Sequence, residues 1–422
     1  MIAGGNRHLA PEPFMNPPRT TKLISVTQLL PGMYVQDVNC SWMDHPFVTN
    51  QFLIKDIERI NEIRALGVHE LYIDTARGID VEGGCVSVEQ LHQDVDARMV
   101  EIAQELQIEA KRVDLRQEIE RARSLHSEAN RIVRSLIHDI RLGKQVELEQ
   151  IEPVVENMID SVFRNQDALL PLARLKDHDN YTFQHSVSVS ALLVSFARGL
   201  KMERALIKQI AIGGLLHDVG KARVPDEILN KPAKLTEAEF AKMKSHVVQS
   251  MLILQNTPGI SQIALDVAAQ HHERFDGTGY PNKLKGEQIS LYGRMGAIVD
   301  VYDAITSDRV YHKGMAPTAA LGRLLEWSKY HFDPELVRAY IKCVGIYPSG
   351  SLVRLESGRL GIVLEQHEDK MMKPRVKVIF HAENKHYLPL EVIDLAWSGC
   401  KDKIIGHEDF EAWNIDPHRW IG

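Results

Sequence analysis

The stretch Leu215–Leu229, LLHDVGKARVPDEIL, sets His217 and Asp218 side by side in an apolar run, with Lys221 one turn later. A buried histidine and carboxylate either satisfy each other as a polar pair or hold a cation, because an uncompensated buried charge is costly. The choice between the two depends on whether more ligand side chains arrive from elsewhere in the chain.

Several do. His185 lies in TFQHSVSVSALLVSFA, and His246 lies in FAKMKSHVVQSMLIL beside the stripe Phe240, Met243, Val247, Met251 and Leu254. His271 and His272 end IALDVAAQHH, and Asp300 sits in the apolar stretch MGAIVDVYDAIT. Each has a plain alternative: a hydrogen-bonded core histidine, a pair of histidines at the negative end of a helix, or an aspartate that caps a helix or pairs with Arg294. Together they place a His or Asp at an apolar position of five separate helices, which favours metal. Imidazole and carboxylate without cysteine suit Fe, Mn, Co or Zn. Seven ligands exceed one tetrahedral zinc. They suit two ions about 3.5–4 Å apart clamping a phosphoryl group, with Asp218 as the bridge.

The segment HHERFDGTGYPNKLKG (271–286) reads as a substrate-facing loop or a plain turn, its glycines permitting close backbone approach. Tyr280, between Gly279 and Pro281, would be a rigidly presented ring and hydroxyl. AITSDRVYHKG adds Arg309, His312 and Lys313, which with Lys221, Lys283 and Lys285 could form a local basic cluster for an anionic substrate. Such a cluster would have to be local, since the net charge is −7 over 422 residues. That charge excludes a general attraction to nucleic acid or anionic membrane. Four scattered cysteines without a C-x-x-C pair suit a reducing cytoplasm. No apolar run approaches a membrane span, and residues 1–21 show no secretory h-region.

The chain is expected to be multidomain: a disordered lead-in (1–21), a small α+β N-terminal domain (22–85), a helical linker (86–144), a central all-α helical domain (145–345), a small β C-terminal subdomain (346–400) and a tail (401–422). In the linker, apolar residues recur at Leu91, Val95, Met99, Ile102 and Leu106, then at Ile119, Ala122, Leu125, Ala129, Ile132, Leu136 and Ile140. This stripe serves either as a homodimer seam or as a face packed on its own domain.

The motifs HDVGK (217–221), PDEILNKPAKLT (225–236), MKSH (243–246), HHERFDGTGYP (271–281) and DVYDAITSDRVY (300–311) resemble, in order and spacing, the bacterial HD-GYP family. That family is a branch of the HD superfamily of metal-dependent phosphohydrolases, and the resemblance covers about residues 176–315. It implies an all-helical HD-type domain hydrolysing cyclic di-GMP to linear pGpG, with further cleavage to GMP left open, at a two- or three-metal centre. The N-terminal domain is also similar to one often found ahead of HD-GYP domains. By motif, the ligands would be His185, His217, Asp218, His246, His271, His272 and Asp300. Asp179 and Lys221 match positions contacting the attacking hydroxide or the phosphate; Tyr280 and Arg309 match substrate-contacting positions, and Gly279 and Lys313 flank them. Three-metal members carry a Glu where this chain has Tyr181, so two divalent ions, Fe or Mn, are expected. His312 replaces a common basic residue, Lys283 and Ser250 replace common glycines, and Ser290 replaces a common proline. The resemblance also admits 3′,3′-cyclic GMP-AMP as substrate, a receptor with little turnover, and a contact between the GYP loop and a diguanylate cyclase bearing a GGDEF domain.

Overall fold

Alternating apolar and polar residues near the N-terminus form a sheet. The computed structural model describes residues 20–40, 47, 51–81, 86–104, 113–175, 181–231, 235–308, 313–367 and 370–421. Strands β1 (Thr21–Ser25), β2 (Tyr34–Asp37), β3 (Phe52–Leu53), β4 (Glu70–Asp74) and β5 (Val86–Ser87) pair antiparallel in the order β3-β2-β4-β1-β5. Helix α1 (Ile57–Ala65) starts where the Asp56 side chain accepts the Arg59 N–H, which satisfies one of the first-turn donors that a helix leaves unpaired. Its Ile60 and Ile63 are buried, whereas Ile57 in the first turn is exposed. These elements, the first residues of α2 (Val88–Gln104) and residues 409–416 make one compact unit, in which Leu23, Tyr72, Val88 and Leu91 pack together.

The second unit holds residues 40–48, 94–408 and 417–422. Helix α3 (Leu115–Arg141), capped by Asp114, buries Ala122, Leu125, Ala129, Val133, Ile137 and Ile140 in the same core as α4 (Leu148–Arg174). Of the α3 residues in the sequence stripe, Ala122, Leu125, Ala129 and Ile140 are buried within the chain and Ile119, Ile132 and Leu136 are half-buried, while Leu106 lies outside the described residues. Helix α4 kinks at Asn165 (φ −164°, ψ 102°), whose side chain donates to Val113 O and accepts from Asp167 N. A side chain that intercepts the helix ladder is a recognised cause of such a bend.

The helices that build the site follow: α5 (Tyr181–Gly199), α6 (Arg204–Leu216), α7 (Asp226–Leu229), α8 (Glu237–Gln255), α9 (Gln262–Gln270), α10 (Leu291–Ile305), α11 (Pro317–Trp327) and α12 (Pro334–Val344). Helix α8 opens on a capping box in which Glu239 N donates to Thr236 Oγ1 and Thr236 N to Glu239. Ser290 caps α10 by accepting the Gly293 N–H, so a serine serves where proline is common.

Strands β6 (Leu352–Leu355), β7 (Arg359–Glu365), β8 (Arg375–His381), β9 (His386–Asp394) and β10 (Ile404–Glu408) form an antiparallel sheet in the order β10-β6-β7-β8-β9. Strand β10 falls in residues 401–422, read from sequence as a tail. It is short and bulged between Ile404 and Gly406, and its pairing with β6 is long-range, so no local pattern marks it. Buried Asp167 accepts from Ser349 Oγ and from Gln366 N and ties the sheet to α4. The architecture is thus a helical domain with a sheet-containing N-terminal domain and a C-terminal antiparallel sheet. Among the described residues no helix is long and apolar enough to cross a membrane.

Candidate metal centre

Five helices deliver the site. His185 lies in the first turns of α5, and His217 ends α6. Asp218 precedes a short 3-10 turn (Val219–Arg223), His246 is midway along α8, His271 and His272 follow α9, and Asp300 lies inside α10. His185, His217, Asp218, His246, His271 and Asp300 are all at most 2% exposed. Glycine makes one approach possible: a Cβ on Gly220 would stand 2.0 Å from His246 O and 2.4 Å from Ser250 N. Only at this separation does the His217–Asp218 turn lie against α8, where Gly220 N donates to Ser250 Oγ at 2.8 Å. Ser250 therefore supplies a hydrogen bond at a position where glycine is common.

The side chains converge in the manner that the motif spacing suggests. Asp218 Oδ2 lies 3.3 Å from His217 Nε2 and 3.6 Å from His185 Nε2, while Asp218 Oδ1 lies 3.3 Å from His246 Nε2. Asp300 Oδ1 is 2.9 Å from His185 Nε2 and 3.6 Å from His217 Nε2, and Asp300 Oδ2 is 3.9 Å from His272 Nδ1. Ligand atoms of His185, His217 and Asp300, of His217, Asp218 and His271, and of His246, His271 and His272 fall within 4.8 Å of one another in each group. Asp300 has no need of Arg294, which pairs with Asp333 at 2.7 Å.

Three imidazoles are oriented alike. His217, His246 and His271 donate Nδ1–H to the carbonyls of Gly214, Met243 and Ala268, each three residues back, at 2.7–2.9 Å. This fixes the tautomer and turns Nε2 inward. The Nε2 atoms of all three, with Asp218 Oδ1 and Asp300 Oδ2, are buried without a hydrogen-bond partner. Buried polar atoms are normally satisfied, so five orphans at one place are the observation a divalent cation explains. The donor set fits such ions: imidazole nitrogens and carboxylate oxygens, with no thiolate.

The electrostatics agree. Burial pushes three of the imidazoles towards neutrality, lowering His246 to about 4, His271 to about 3 and His272 well below its ordinary value. At His217 burial acts the same way, but Asp218 and Asp300 override it and raise the group to about 10. Burial works against ionisation of both carboxylates, yet Lys221 and His217 at Asp218, and His185 and His217 at Asp300, hold them well below the usual range. Neutral His246, His271 and His272 beside ionised carboxylates are in the protonation states that metal binding requires, whereas His217 holds a proton that an incoming cation would displace.

Lys221 Nζ contacts Asp218 Oδ2 at 2.5 Å. The loop after His272 is tightly built. Tyr280 N donates to His272 O at 3.1 Å, and the Tyr280 ring stacks on His272 with centroids 4.7 Å apart. A Cβ on Gly279 would stand 2.3 Å from Arg274 N, so only glycine fits there. Lys283, Lys285 and Lys313 are exposed, whereas Lys221 touches Asp218 of the site. Asp179, Arg309, His312 and the Tyr181 side chain lie outside the described residues.

Two residues were missed in the sequence. Asp303, fully buried on α10, stands 2.6 Å from His185 Nδ1 and accepts from Ser188 Oγ. Its signal was present, one turn after Asp300 on the same helix face. Glu273, also buried, accepts from Asn282 N at 2.7 Å and Leu284 N at 3.0 Å and so holds the Tyr280 loop. As one charged residue among several in a polar loop it gave no signal.

Residues 170–336 match the model of the HD domain, and residues 21–151 match that of a domain of unknown function, DUF3391. The chain is 45% identical to a cyclic di-GMP phosphodiesterase of Pseudomonas aeruginosa, over 95% of this chain and 96% of that protein. It is 36% identical to a cyclic di-GMP phosphodiesterase of Vibrio cholerae over 46% of this chain and 44% of that protein. A 3′3′-cGAMP-specific phosphodiesterase of Vibrio cholerae is 41% identical over 32% of this chain and 31% of its own length. With the histidine–aspartate cluster assembled and a relative matched end to end at this identity, the chain belongs to the HD-GYP family of HD domain proteins.

Proposed function

We propose that the chain is a metal-dependent phosphodiesterase that hydrolyses cyclic di-GMP to linear pGpG, with GMP as the product of a second cleavage. The observation that carries this reading is the set of five buried, unpartnered Nε2 and carboxylate oxygen atoms converging from four elements, in a chain whose end-to-end relative bears that activity in its name. His185, His217 and Asp300 would hold one ion and His246, His271 and His272 the other, with Asp218 shared between them. Fe(II) or Mn(II) suits that set. Bound there, such ions supply Lewis acidity towards phosphoryl oxygens and lower the pKa of water towards neutrality.

The chain's own residues supply the rest. Lys221, held against Asp218, places a positive charge beside the scissile phosphate, where charge grows in the transition state. Tyr280, fixed by its stack on His272 and by the close approach at Gly279, presents a ring and hydroxyl to the substrate. Asp179 would orient the attacking water, and Arg309 and Lys313 would bind phosphate, roles that rest on the family motifs. The exposed tip of the same loop would also serve as the contact for a GGDEF-bearing diguanylate cyclase in the cytoplasm, without altering the chemistry.

The test is chromatography of cyclic di-GMP after incubation with protein reconstituted anaerobically with Fe(II) or Mn(II), beside an Asp218→Ala control. Product from the wild-type chain alone supports the proposal. Unchanged substrate despite bound metal sinks it. A second reading, 3′,3′-cyclic GMP-AMP as substrate, is favoured by the Vibrio cholerae relative named for that activity. The same assay with that dinucleotide separates the two, and binding without turnover of either would identify a receptor.

A further inference from the structure

The four best-oriented imidazoles are not held alike. Behind His217, His246 and His271 stands a neutral backbone carbonyl. Behind His185 stands a carboxylate: Asp303 Oδ2 lies 2.6 Å from His185 Nδ1, and both residues are at most 1% exposed. Two helices make this arrangement with matching one-turn spacings. On α5, Ser188 follows His185 by three residues, and on α10, Asp303 follows Asp300 by three. His185 Nε2 meets Asp300 Oδ1 at 2.9 Å, and one turn deeper Ser188 Oγ donates to Asp303 Oδ1. Ser188 thereby fixes the carboxylate that fixes the imidazole. A carboxylate behind a ligating histidine holds the Nδ1–H tautomer, points the Nε2 lone pair at the cation and makes the ring a stronger donor than a carbonyl does.

We propose that Asp303 is a positioning residue that makes the two ion sites unequal, so that the ion held by His185, His217 and Asp300 binds first and more tightly than the ion held by His246, His271 and His272. The charge count points the same way. The first set has Asp300 among its ligands and Asp303 behind one of them, whereas the second consists of three imidazoles with only Asp218 to share. The inference rests on the two-ion reading of the site but not on the identity of the substrate, and its test needs no dinucleotide.

The experiment is competition between the full chain and a chromophoric chelator for Mn(II), with ions per chain counted by mass spectrometry, for wild type, Asp303→Asn and Ser188→Ala. Two well-separated affinities are expected for wild type. Asp303→Asn, which keeps shape but removes charge, should weaken the tighter one about 10- to 100-fold and leave the weaker one within about twofold. Ser188→Ala, which leaves the His185–Asp303 contact in place but frees the carboxylate to turn, should weaken the same site measurably, by a smaller factor than Asp303→Asn. The proposal is overturned by two equal affinities in wild type, by equal weakening of both sites in Asp303→Asn, or by no change there. Loss of fold in Asp303→Asn would show as an altered melting curve of the metal-free protein. Ser188→Ala would then decide: it should weaken the tighter site alone, and weakening of both sites or of neither would reject the idea.

Discussion

Asp218 turns its two carboxylate oxygens to different histidines, Oδ2 to His217 and Oδ1 to His246, each at 3.3 Å. No other carboxylate among the described residues faces both α6 and α8 in this way. Replacing it with alanine should therefore strip both ions together, with a loss of activity larger than the 10- to 100-fold typical of losing an outer hydrogen-bond partner. Metal content of Asp218→Ala by mass spectrometry checks this. Retention of one full equivalent would show that Asp218 is not shared.

Lys221 gives a contrasting expectation. It touches Asp218 from the edge of the site and is partly solvent-exposed, so Lys221→Met should keep the metal. The charge opposite the phosphoryl oxygens disappears, and kcat should drop by about 10²–10³. Metal counts and kcat measured on the same preparation test the split. A variant that loses metal as well would make Lys221 a support for Asp218 instead.

Gly279 and Glu273 fix Tyr280 by different means, and their variants should fail differently. In Gly279→Ala the new Cβ collides with backbone, 2.3 Å from Arg274 N and 2.5 Å from Glu273 Cα. The loop must move and carry Tyr280 off His272. KM should rise several-fold at unchanged metal content. Glu273→Ala leaves the N–H groups of Asn282 and Leu284 without their acceptor and should lower stability by about 1–3 kcal/mol, read from denaturant melts.

Most of the site was legible in the sequence because ligand chemistry restricts residue type: a His or Asp at an apolar helical position is conspicuous one residue at a time. What supports those ligands was less so. Asp303 is as conspicuous as Asp300, but sequence alone could not show which of two aspartates one turn apart faces the centre and which stands behind His185. Carbonyl partners such as Gly214 and Met243 carry no side-chain signal at all. In the fold, the sequence pattern of α3 points to Ile132 and Leu136, whereas Val133 and Ile137 are the buried members at those turns. Adjacent apolar residues fit a 3.6-residue period almost equally well. Strand β10 was invisible because its stability comes from pairing with β6, some fifty residues away.

The protonation pattern predicts how the metal-free chain responds to pH. Burial lowers His246 to about 4 and His271 to about 3 in the fold, against about 6.5 unfolded. Below pH 6.5 the unfolded chain binds protons that the folded chain refuses. Stability therefore falls with falling pH, by about 1.4 kcal/mol per pH unit for each histidine involved. His217 acts at the other end. Despite its burial, Asp218 and Asp300 raise it to about 10, so the folded chain keeps a proton that the unfolded chain releases above pH 6.5. Its contribution is complete below that pH and disappears as pH rises through 10. Melting temperature in excess chelator should accordingly peak near neutrality and drop towards both pH 5 and pH 9. His271→Ala should flatten the acidic limb and leave the alkaline one. A melting temperature that rises steadily from pH 7 to pH 5 would mean that these histidines are protonated in the fold, and the neutral, metal-ready state described for them would be wrong.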